Sequence, residues 1–329
     1  MNHPLALSRF IEWRDFYMLT VVGLIQLLRP LGIRRLNETA ARGAGFVAYH
    51  LSRAKRRRIE GSLASRLGGE CSSAERQRMV RRVFDETWRE FFSWADPDVI
   101  DENRMAVDVE GLEHLSHALE GGRGAILWES NGFGPRKLFK RVLRTRGFAL
   151  YQVHGPNDLG GFLLPDPPSL LARTILRTYF DRCEKRFVAD NVYIPPSNSL
   201  AFAKTLITRL HGRAVLCVPG DGQLGRRRVT CEFLSAPVSF ATGAVSLARL
   251  SNAPLLPVFC VVTREGRTRI IIESVLPAPR ATGRDAGFET SLGQYAKLLD
   301  NYVRRYPEQY RNWHLLDEPP DGTPRPFEG

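Results

Sequence analysis

Two polar segments of the sequence carry side chains suited to acid–base and nucleophilic chemistry. The first is WESNGFGPRK at 128–137, where Glu129 offers a carboxylate, Ser130 a hydroxyl and Asn131 an amide. A carboxylate can act as a general base, a serine hydroxyl as a nucleophile, and amide or backbone N–H groups as oxyanion stabilisers. The segment therefore supplies candidate catalytic residues, although it contains no histidine.

The second segment, PGDGQLGRRR at 219–228, combines glycines, a carboxylate and a run of arginines. Asp221 is a further catalytic candidate. Glycine permits close backbone approach, and guanidinium groups donate to phosphate or carboxylate. The residues predicted to bind substrate are therefore Arg136, Gly222, Gln223, Arg226 and Arg227. A glycine turn with solvated charges is the alternative interpretation of this segment.

Short apolar runs that alternate with helix-like stretches must position these side chains. The runs are GAILWE, FALYQVH, AVLCVPGD, PLLPVFCVV and RIIIESVL, and the helix-like stretches cover 72–95, 197–211, 242–252 and 288–306. This order predicts an α/β fold with a mostly parallel central sheet flanked by helices. The last two strands, within 255–276, are predicted to form a hairpin around Glu265 and Gly266. Because parallel strands end at one edge of a sheet, both polar segments are expected there.

Composition and charge restrict the classes of partner. With 329 residues, 43% of them hydrophobic, the chain can bury a large core. Its 47 Lys and Arg against 35 Asp and Glu give a net charge of +12, which favours anionic partners such as phospholipid head groups or an acidic carrier protein. Nucleic acid is not expected as a partner, because no helix-turn-helix, zinc-finger or RNP signature occurs. The five cysteines are expected to be buried thiols, and no metal or cofactor is predicted.

The first 45 residues are predicted to form an amphipathic helix that associates with a membrane. The uncharged run FYMLTVVGLIQLL at 16–28 has 13 residues, fewer than the roughly 18 needed to cross a bilayer. Residues 1–60 contain 11 Lys and Arg against 4 Asp and Glu, which suits an anionic membrane surface. A core helix with a solvated basic flank is the alternative. Residues 46–316 are assigned to the α/β domain, with 158–169 as a flap, and 317–329 to a polar tail.

Five blocks follow one another along the chain. They are an apolar N-terminal helix with trailing basic residues, GRGAILWESNGFGPRKL, VLCVPGDGQLGRRR, FLSAPVSFATGAVSLARLSNAPLLPVF and YVRRYPEQYRNWH. In this order they resemble the lipid A biosynthesis (lauroyl/myristoyl) acyltransferases of the lysophospholipid acyltransferase superfamily, over nearly the whole chain. The resemblance implies an acyltransferase-like α/β fold and a peripheral location on the cytoplasmic face of the bacterial inner membrane. It also implies an acyl carrier protein or acyl-CoA donor and a membrane lipid acceptor.

The catalytic motif of that family is absent. In the family, a His-x4-Asp/Glu motif supplies a histidine as general base and an acidic residue that orients it. An alignment on the strand puts Asn131 and Arg136 at these two positions, whereas an alignment on Phe133-Gly134 puts Gly132 and Lys137 there. None of the seven histidines has an acidic residue five positions further along the chain.

Three explanations of this absence are open. In the first, Glu129 replaces the histidine, with a pKa raised by a hydrophobic wall around Trp128, or His154 replaces it if the two loops converge. In the second, Ser130 is an acylated nucleophile. In the third, the fold has lost catalysis. An ion pair of Glu129 with Arg123 or Arg136 would give this carboxylate a structural role instead.

The predicted activity is transfer of a fatty acyl group from a carrier-protein or CoA thioester to a hydroxyl or amine of a membrane amphiphile, by a monomer. Asn131 and nearby backbone N–H groups are expected to stabilise the oxyanion. Asp221, Arg226 and Arg227 are expected to hold the acceptor or a phosphate. The alternative is a catalytically degenerate scaffold that binds acyl chains or an acyl carrier.

Overall fold

The computed structural model describes eleven ranges of the chain. They are residues 10–11, 13–28, 34–69, 71–95, 107–155, 158–159, 162–163, 169–195, 199–221, 227–277 and 286–316. The helices are α1 (Trp13–Leu28), α2 (Arg34–Leu51), α3 (Arg53–Leu67), α4 (Ser73–Ala95), α5 (Leu112–Glu120), α6 (Arg136–Thr145), α7 (Arg177–Glu184), α8 (Ser199–His211), α9 (Gly243–Ser251) and α10 (Ala286–Arg305). A π-helix precedes α7 at Ala172–Leu176, and 3₁₀ helices follow α10 at Pro307–Gln309 and Arg311–Leu315.

The strands form one large sheet and two small ones. They are β1 (Val107–Glu110), β2 (Ala125–Glu129), β3 (Leu150–His154), β4 (Asp158–Leu159), β5 (Phe162–Leu163), β6 (Asp190–Tyr193), β7 (Val215–Pro219), β8 (Arg228–Phe233), β9 (Ala236–Ala241), β10 (Leu255–Val262) and β11 (Thr268–Ile272). The large sheet has the order β1-β11-β10-β2-β7-β3-β6. Strands β10, β2, β7, β3 and β6 are mutually parallel, and β11 is antiparallel to β10. The predicted mostly parallel sheet and its terminal hairpin are confirmed.

The register of the central strands brings their carboxyl ends together. Glu129 at the end of β2 lies opposite Pro219 on β7 and Val258 on β10. The polar residues after β2 and β7 therefore begin at the same edge of the sheet, as expected from the parallel arrangement.

Both faces of the sheet are covered, which explains why its central strands are continuous apolar runs. Ala125 and Leu127 of β2 belong to the core shared with α5 and α6. Ile126 and Trp128, which point the other way, belong to the core shared with α9 and α10. The alternation of side chains along a strand thus assigns successive β2 residues to opposite layers. The five cysteines are free thiols, and Cys183, Cys217 and Cys260 are buried.

The predicted helices are present with ends shifted by one or two residues. Helix α4 buries the aromatic and aliphatic stripe that the sequence predicts, including Val83, Phe84, Phe91 and Phe92. Helix α1 covers the uncharged N-terminal run, and none of the described helices is both long and apolar enough to cross a membrane. The predicted domain boundary at residue 45 falls within α2, which packs on α4. Most of the predicted flap and the whole of the predicted tail at 317–329 lie outside the described residues.

Helix α4 begins with a reciprocal cap. The Ser72 N–H donates to Glu75 Oε2 at 2.8 Å, and the Glu75 N–H donates to Ser72 Oγ at 3.3 Å. Such a capping box satisfies two N–H groups that the first helical turn leaves without intrahelical acceptors.

Replacing Ser72 by alanine is expected to lower the free energy of unfolding by about 1 kcal/mol, because the Glu75 N–H loses its acceptor. Ser73→Ala is the matched control, since Ser73 lies inside the helix, where alanine is favourable. Urea denaturation followed by circular dichroism measures both. Equal stabilities of the two variants would contradict the cap.

Candidate active site at the carboxyl ends of the central strands

The loop that follows β2 is held in place by the carboxylate of Asp221, which follows β7. Ser130 Oγ donates to Asp221 Oδ2 at 2.6 Å, and the backbone N–H of Asn131 donates to Oδ1. The N–H of Gly132 and the side-chain amide of Asn312 donate to Oδ2 at 3.3 and 3.2 Å. The structure thus brings together Ser130, Asn131 and Asp221, three of the five predicted catalytic residues.

The segment after α10 covers this loop. The Arg311 N–H donates to Gly132 O at 2.6 Å, and Arg311 Nη1 donates to Gly134 O at 2.9 Å. The Gly134 N–H donates in turn to Gln309 O at 3.2 Å. Sequence reasoning assigned no role to Gln309, Arg311 or Asn312. The polar residues within YVRRYPEQYRNWH were the available signal, because polar side chains in an otherwise aromatic segment need partners.

Two glycines allow this close packing. Gly134 has φ of +64°, in the left-handed region, and a Cβ there would clash with Cys260 O of β10. A Cβ at Gly132 would clash with the side-chain amide of Asn312. The loop therefore keeps its shape because glycine is present where the backbone meets β10 and the C-terminal segment.

Glu129 lies beneath the loop, in a buried ion pair. Its side chain is 1% exposed, with Oε1 3.1 Å from Lys140 Nζ and 3.5 Å from Arg136 Nη1 of α6. Lys140 Nζ also donates to the Gln152 side chain. Burial acts to raise the pKa of Glu129, but Lys140, Arg136 and the hydrogen bonds from Gln152 and Lys140 together lower it below its ordinary value.

The expectation of a raised pKa at Glu129 is therefore wrong. Trp128 does not form an apolar wall around this carboxylate, because its ring points to the opposite layer and stacks on Tyr295 at 4.0 Å. The structure shows the pairing with Arg136 that was the alternative interpretation. Arg136 itself is buried and faces Glu129, a position that favours a structural role over the predicted contact with substrate.

His154 ends β3, which β7 separates from β2. The side chain is buried, and its Nε2 lies 2.9 Å from Glu184 Oε2 of α7 and 3.3 Å from Asn191 Oδ1 of β6. Its ring stacks on Tyr193 with centroids 5.0 Å apart. These contacts link β3, β6 and α7, and they favour a structural histidine over the predicted alternative base.

The predicted anion ligands after Asp221 are described only in part. Arg227 is exposed, and its guanidinium lies over the Phe288 ring at 4.7 Å from the centroid. Gly222, Gln223 and Arg226 lie outside the described residues. Substrate binding by these four residues stays a prediction.

A second polar feature lies behind Asp221. A Cβ on Gly220 would clash with both Trp128 Nε1 and Tyr295 Oη, so these two buried donors converge on the Gly220 backbone. Neither atom has a hydrogen-bond partner among the described residues. Burial, and then the charge of Asp221, raises the pKa of Tyr295 well above its ordinary value, so its hydroxyl stays protonated. Among the described residues, no group of three or more His, Cys, Asp or Glu is placed to hold a metal ion.

Replacing Glu129 by glutamine is expected to lower the free energy of unfolding by about 3–5 kcal/mol, because Lys140 then keeps a buried charge without its partner. The double variant Glu129→Gln/Lys140→Met should recover most of that loss. Because the folded pKa of Glu129 is lowered, its contribution is present above the ordinary value of 4.5 and disappears as the pH falls through the folded value. Glu129→Gln should therefore weaken the acid dependence of stability.

Chemical denaturation between pH 3 and 7 measures both effects. The control is Glu120→Gln, which removes a carboxylate that is 72% exposed beside His117. If Glu129→Gln were as stable as the control, or if the double variant were no better than the single one, the ion pair would not support the fold.

The comparison with known families agrees with this architecture. A family model described as bacterial lipid A biosynthesis acyltransferase matches residues 6–130 and 182–316. The match breaks after Ser130 and resumes within α7, so it omits the loop from Asn131, α6 and His154. A search of curated proteins finds no match. Because the family match covers most of the chain and the fold is the one the resemblance implies, the protein belongs to the bacterial lipid A biosynthesis acyltransferase family.

Proposed function

We propose that the protein transfers a fatty acyl group from a thioester donor to a hydroxyl or amine of a membrane amphiphile, with Asp221 in the role of the missing histidine. The observation that carries the proposal is the cluster of Ser130, Asn131 and Asp221 at the carboxyl edge of β2 and β7. Membership of an acyltransferase family supports the reaction class.

Asp221 suits the role of base better than the two residues predicted from the sequence. Glu129 and His154 are 1% and 2% exposed and are bonded to Lys140 and Glu184. Asp221 is half-buried, and its hydrogen-bond donors among the described residues are a hydroxyl and amide N–H groups. The charge of Arg311 interacts with that of Asp221, but the two form no ion pair. A carboxylate that is reachable and not neutralised by an ion pair can hydrogen-bond an incoming hydroxyl or ammonium group.

The proposed reaction is a direct transfer. Asp221 accepts the proton of the acceptor as its oxygen or nitrogen attacks the thioester carbonyl, and the tetrahedral intermediate carries its charge on the former carbonyl oxygen. The Asn131 side-chain amide donates to that oxyanion. The carbon–sulfur bond then breaks, and Asp221 returns the proton to the departing thiolate. Asp221 is bonded to Ser130 and to the Asn131 backbone before substrate arrives, so the carboxylate needs little reorganisation.

The donor and the location follow from charge and exposed apolar surface. A net charge of +12 suits an acidic acyl carrier protein better than a small thioester. On α1, the outward-facing Phe16, Leu24 and Leu27 are exposed, while Met18 packs into the core with Phe91 of α4. Val47 and Leu51 of α2 are exposed as well. The basic residues of α3 follow nearby in the chain, so this surface suits peripheral binding to the cytoplasmic face of the bacterial inner membrane. We propose that the protein binds there as a monomer.

A catalytically degenerate scaffold is the second candidate, and two observations favour it. Four donors already converge on Asp221, and the family match omits the segment that begins at Asn131. A carboxylate used only to fix the loop would leave a fold that binds acyl chains or an acyl carrier without turnover.

Turnover by the pure protein distinguishes these functions. With acyl-carrier thioesters and total membrane lipid, we expect labelled acyl chains to appear in lipid, detected by mass spectrometry. Asp221→Asn should reduce kcat at least a hundredfold, because general base catalysis contributes roughly 10²–10⁴. Ser130→Ala should retain most activity if the transfer is direct, whereas complete loss would indicate an acyl-serine intermediate.

Glu120→Gln, an exposed carboxylate on α5, is the control for both variants. Melting temperatures report whether Asp221→Asn still folds. Turnover that survives in folded Asp221→Asn would exclude this residue as the base. No turnover by the wild-type protein, together with tight binding of the acylated carrier, would favour the scaffold.

Membrane binding is tested with vesicles that contain anionic phosphatidylglycerol. The variant Leu24→Glu/Leu27→Glu is expected to reduce co-sedimentation at least about tenfold, because two apolar side chains no longer enter the membrane interface. The control is Leu250→Glu on α9, which removes a leucine of intermediate exposure (57%, against 44% for Leu24 and 71% for Leu27) from another part of the domain. Equal binding by the two variants would contradict the proposed membrane surface.

A further inference from the structure

The turn between β10 and β11 borders a cleft lined by four arginines, here called the arginine cleft. Its volume is about 500 Å³, and its lining residues are Thr263, Arg264, Glu265, Arg267, Arg269, Arg305 and Tyr306. The cleft lies outside the loop that Asp221 holds, and neither the family membership nor the proposed reaction assigns it a role.

Two of these arginines are held in fixed orientations. Arg267 donates from Nε and Nη2 to the carboxylate of Asp108 at 2.7 to 3.1 Å. Arg269 donates from Nε and Nη2 to the carboxylate of Glu110 at 2.7 and 2.6 Å. Arg269 lies on β11 and Arg267 directly precedes this strand, and both bond carboxylates of the neighbouring strand β1. The Nη1 group of each guanidinium takes no part in these bonds and can donate to a ligand.

The other two arginines, Arg264 and Arg305, lie near one carboxylate of the cleft, because their charges contribute to lowering the pKa of Glu265. Within the described part of the chain, Arg264 and Arg305 form no ion pair, and the Arg305 guanidinium lies over the Tyr306 ring at 5.5 Å. Glu265 lines the same cleft on an exposed turn. The cleft therefore offers several guanidinium donors, two of them pre-oriented by Asp108 and Glu110, and its lining carboxylate Glu265 opposes binding of an anion. Guanidinium forks match the oxygens of phosphate.

The cleft lies on the same sheet edge as the candidate active site. Strand β10 continues four residues beyond Val258, the partner of Glu129, which is roughly 13 Å at the rise of a strand. Gln309 connects the two places. Its side chain bonds the backbone N–H and C=O of Val262 at 2.9 and 2.7 Å, and its backbone carbonyl accepts from Gly134.

We propose that the arginine cleft binds a phosphate ester, and that this phosphate belongs to the pantetheine arm of the thioester donor. The second part rests on the proposed function. A pantetheine thioester carries its phosphate at the far end of a long arm. Such a donor therefore needs a phosphate site that lies on the same sheet edge as the reacting carbon but at a distance from it. A phosphorylated lipid head group offers the same chemistry and is the other source.

Titration calorimetry of the full-length protein at low ionic strength tests the site without any turnover. The ligands are 4′-phosphopantetheine, pantetheine, which lacks the phosphate, and glycerol 3-phosphate as a head-group mimic. We expect 4′-phosphopantetheine to bind at least about tenfold more tightly than pantetheine, because charge-assisted hydrogen bonds to phosphate are added. Added salt should weaken the binding.

Variants that remove positive or negative charge from the cleft should have opposite effects on phosphate binding. Arg264→Gln/Arg305→Gln should weaken 4′-phosphopantetheine binding roughly tenfold or more, whereas Glu265→Gln should strengthen it, because one repelling carboxylate is removed. Arg182→Gln, an exposed arginine on α7, is the control and should change nothing. Glycerol 3-phosphate that binds more tightly than 4′-phosphopantetheine would support the phosphate site and assign it to a lipid head group.

The proposal is overturned if pantetheine and its phosphate bind equally, or if the double arginine variant binds as the wild type does. Its failure is separable from that of the proposed function. If the wild-type protein turns over and the double variant still binds phosphate normally, only the proposed role of the arginine cleft is rejected. If the protein shows no turnover but binds phosphate through Arg264 and Arg305, the phosphate site is supported and the proposed transferase activity is rejected.

Discussion

The hydrogen bonds accepted by Asp221 join three separate parts of the chain at one edge of the sheet. The loop after β2, the end of β7 and the segment after α10 meet at this one carboxylate, through Ser130, Asn131, Gly132 and Asn312. Each donor would lose its partner without it, and buried donors without acceptors are costly. The carboxylate therefore determines where the loop lies, and with it the positions of Ser130 and Asn131.

Glu129 and Asp221 show how neighbouring strand ends create different environments for the same chemical group. Glu129 points into the layer beneath α6, where Lys140 and Arg136 compensate its charge. Asp221 follows the adjacent strand but turns toward the loop, where hydroxyl and amide donors surround it. A buried carboxylate paired with two cations supports the fold, whereas a half-buried one that forms no ion pair with the described residues can meet a substrate. Catalysis is therefore better sought at Asp221.

Much of the fold was predictable because its signals are local. Apolar runs such as LLPVFCVV and the stripe of α4 follow directly from periodicity, and a serine at position 72 or 73 marks the start of that helix. The convergence of Ser130 and Asp221 was also within reach, since parallel strands end together. The pairing of Glu129 with Arg136 was one of the alternatives, but the contact with Lys140 was not predicted, because Lys140 lies eleven residues away on a helix whose rotation the sequence does not specify. The part played by Asn312 depends on chain closure over 90 residues, which periodicity does not reveal.

The absence of the family motif involves several neighbouring residues of the strand, the loop and the helix that follows. In the register aligned on the strand, Asn131 stands at the histidine position and Arg136 at the acidic one. Arg136 instead faces Glu129, so the acid of this pair lies on the strand and the cation on the helix. A histidine at position 131 would therefore have no acidic partner at the spacing that the family uses, and an acid at position 136 would repel Glu129 inside the core. The backbone N–H of Asn131 is bound to Asp221 as well. Each of these residues affects the environment of the next, so a single substitution at position 131 or 136 would not rebuild the family's histidine and acidic pair in this loop.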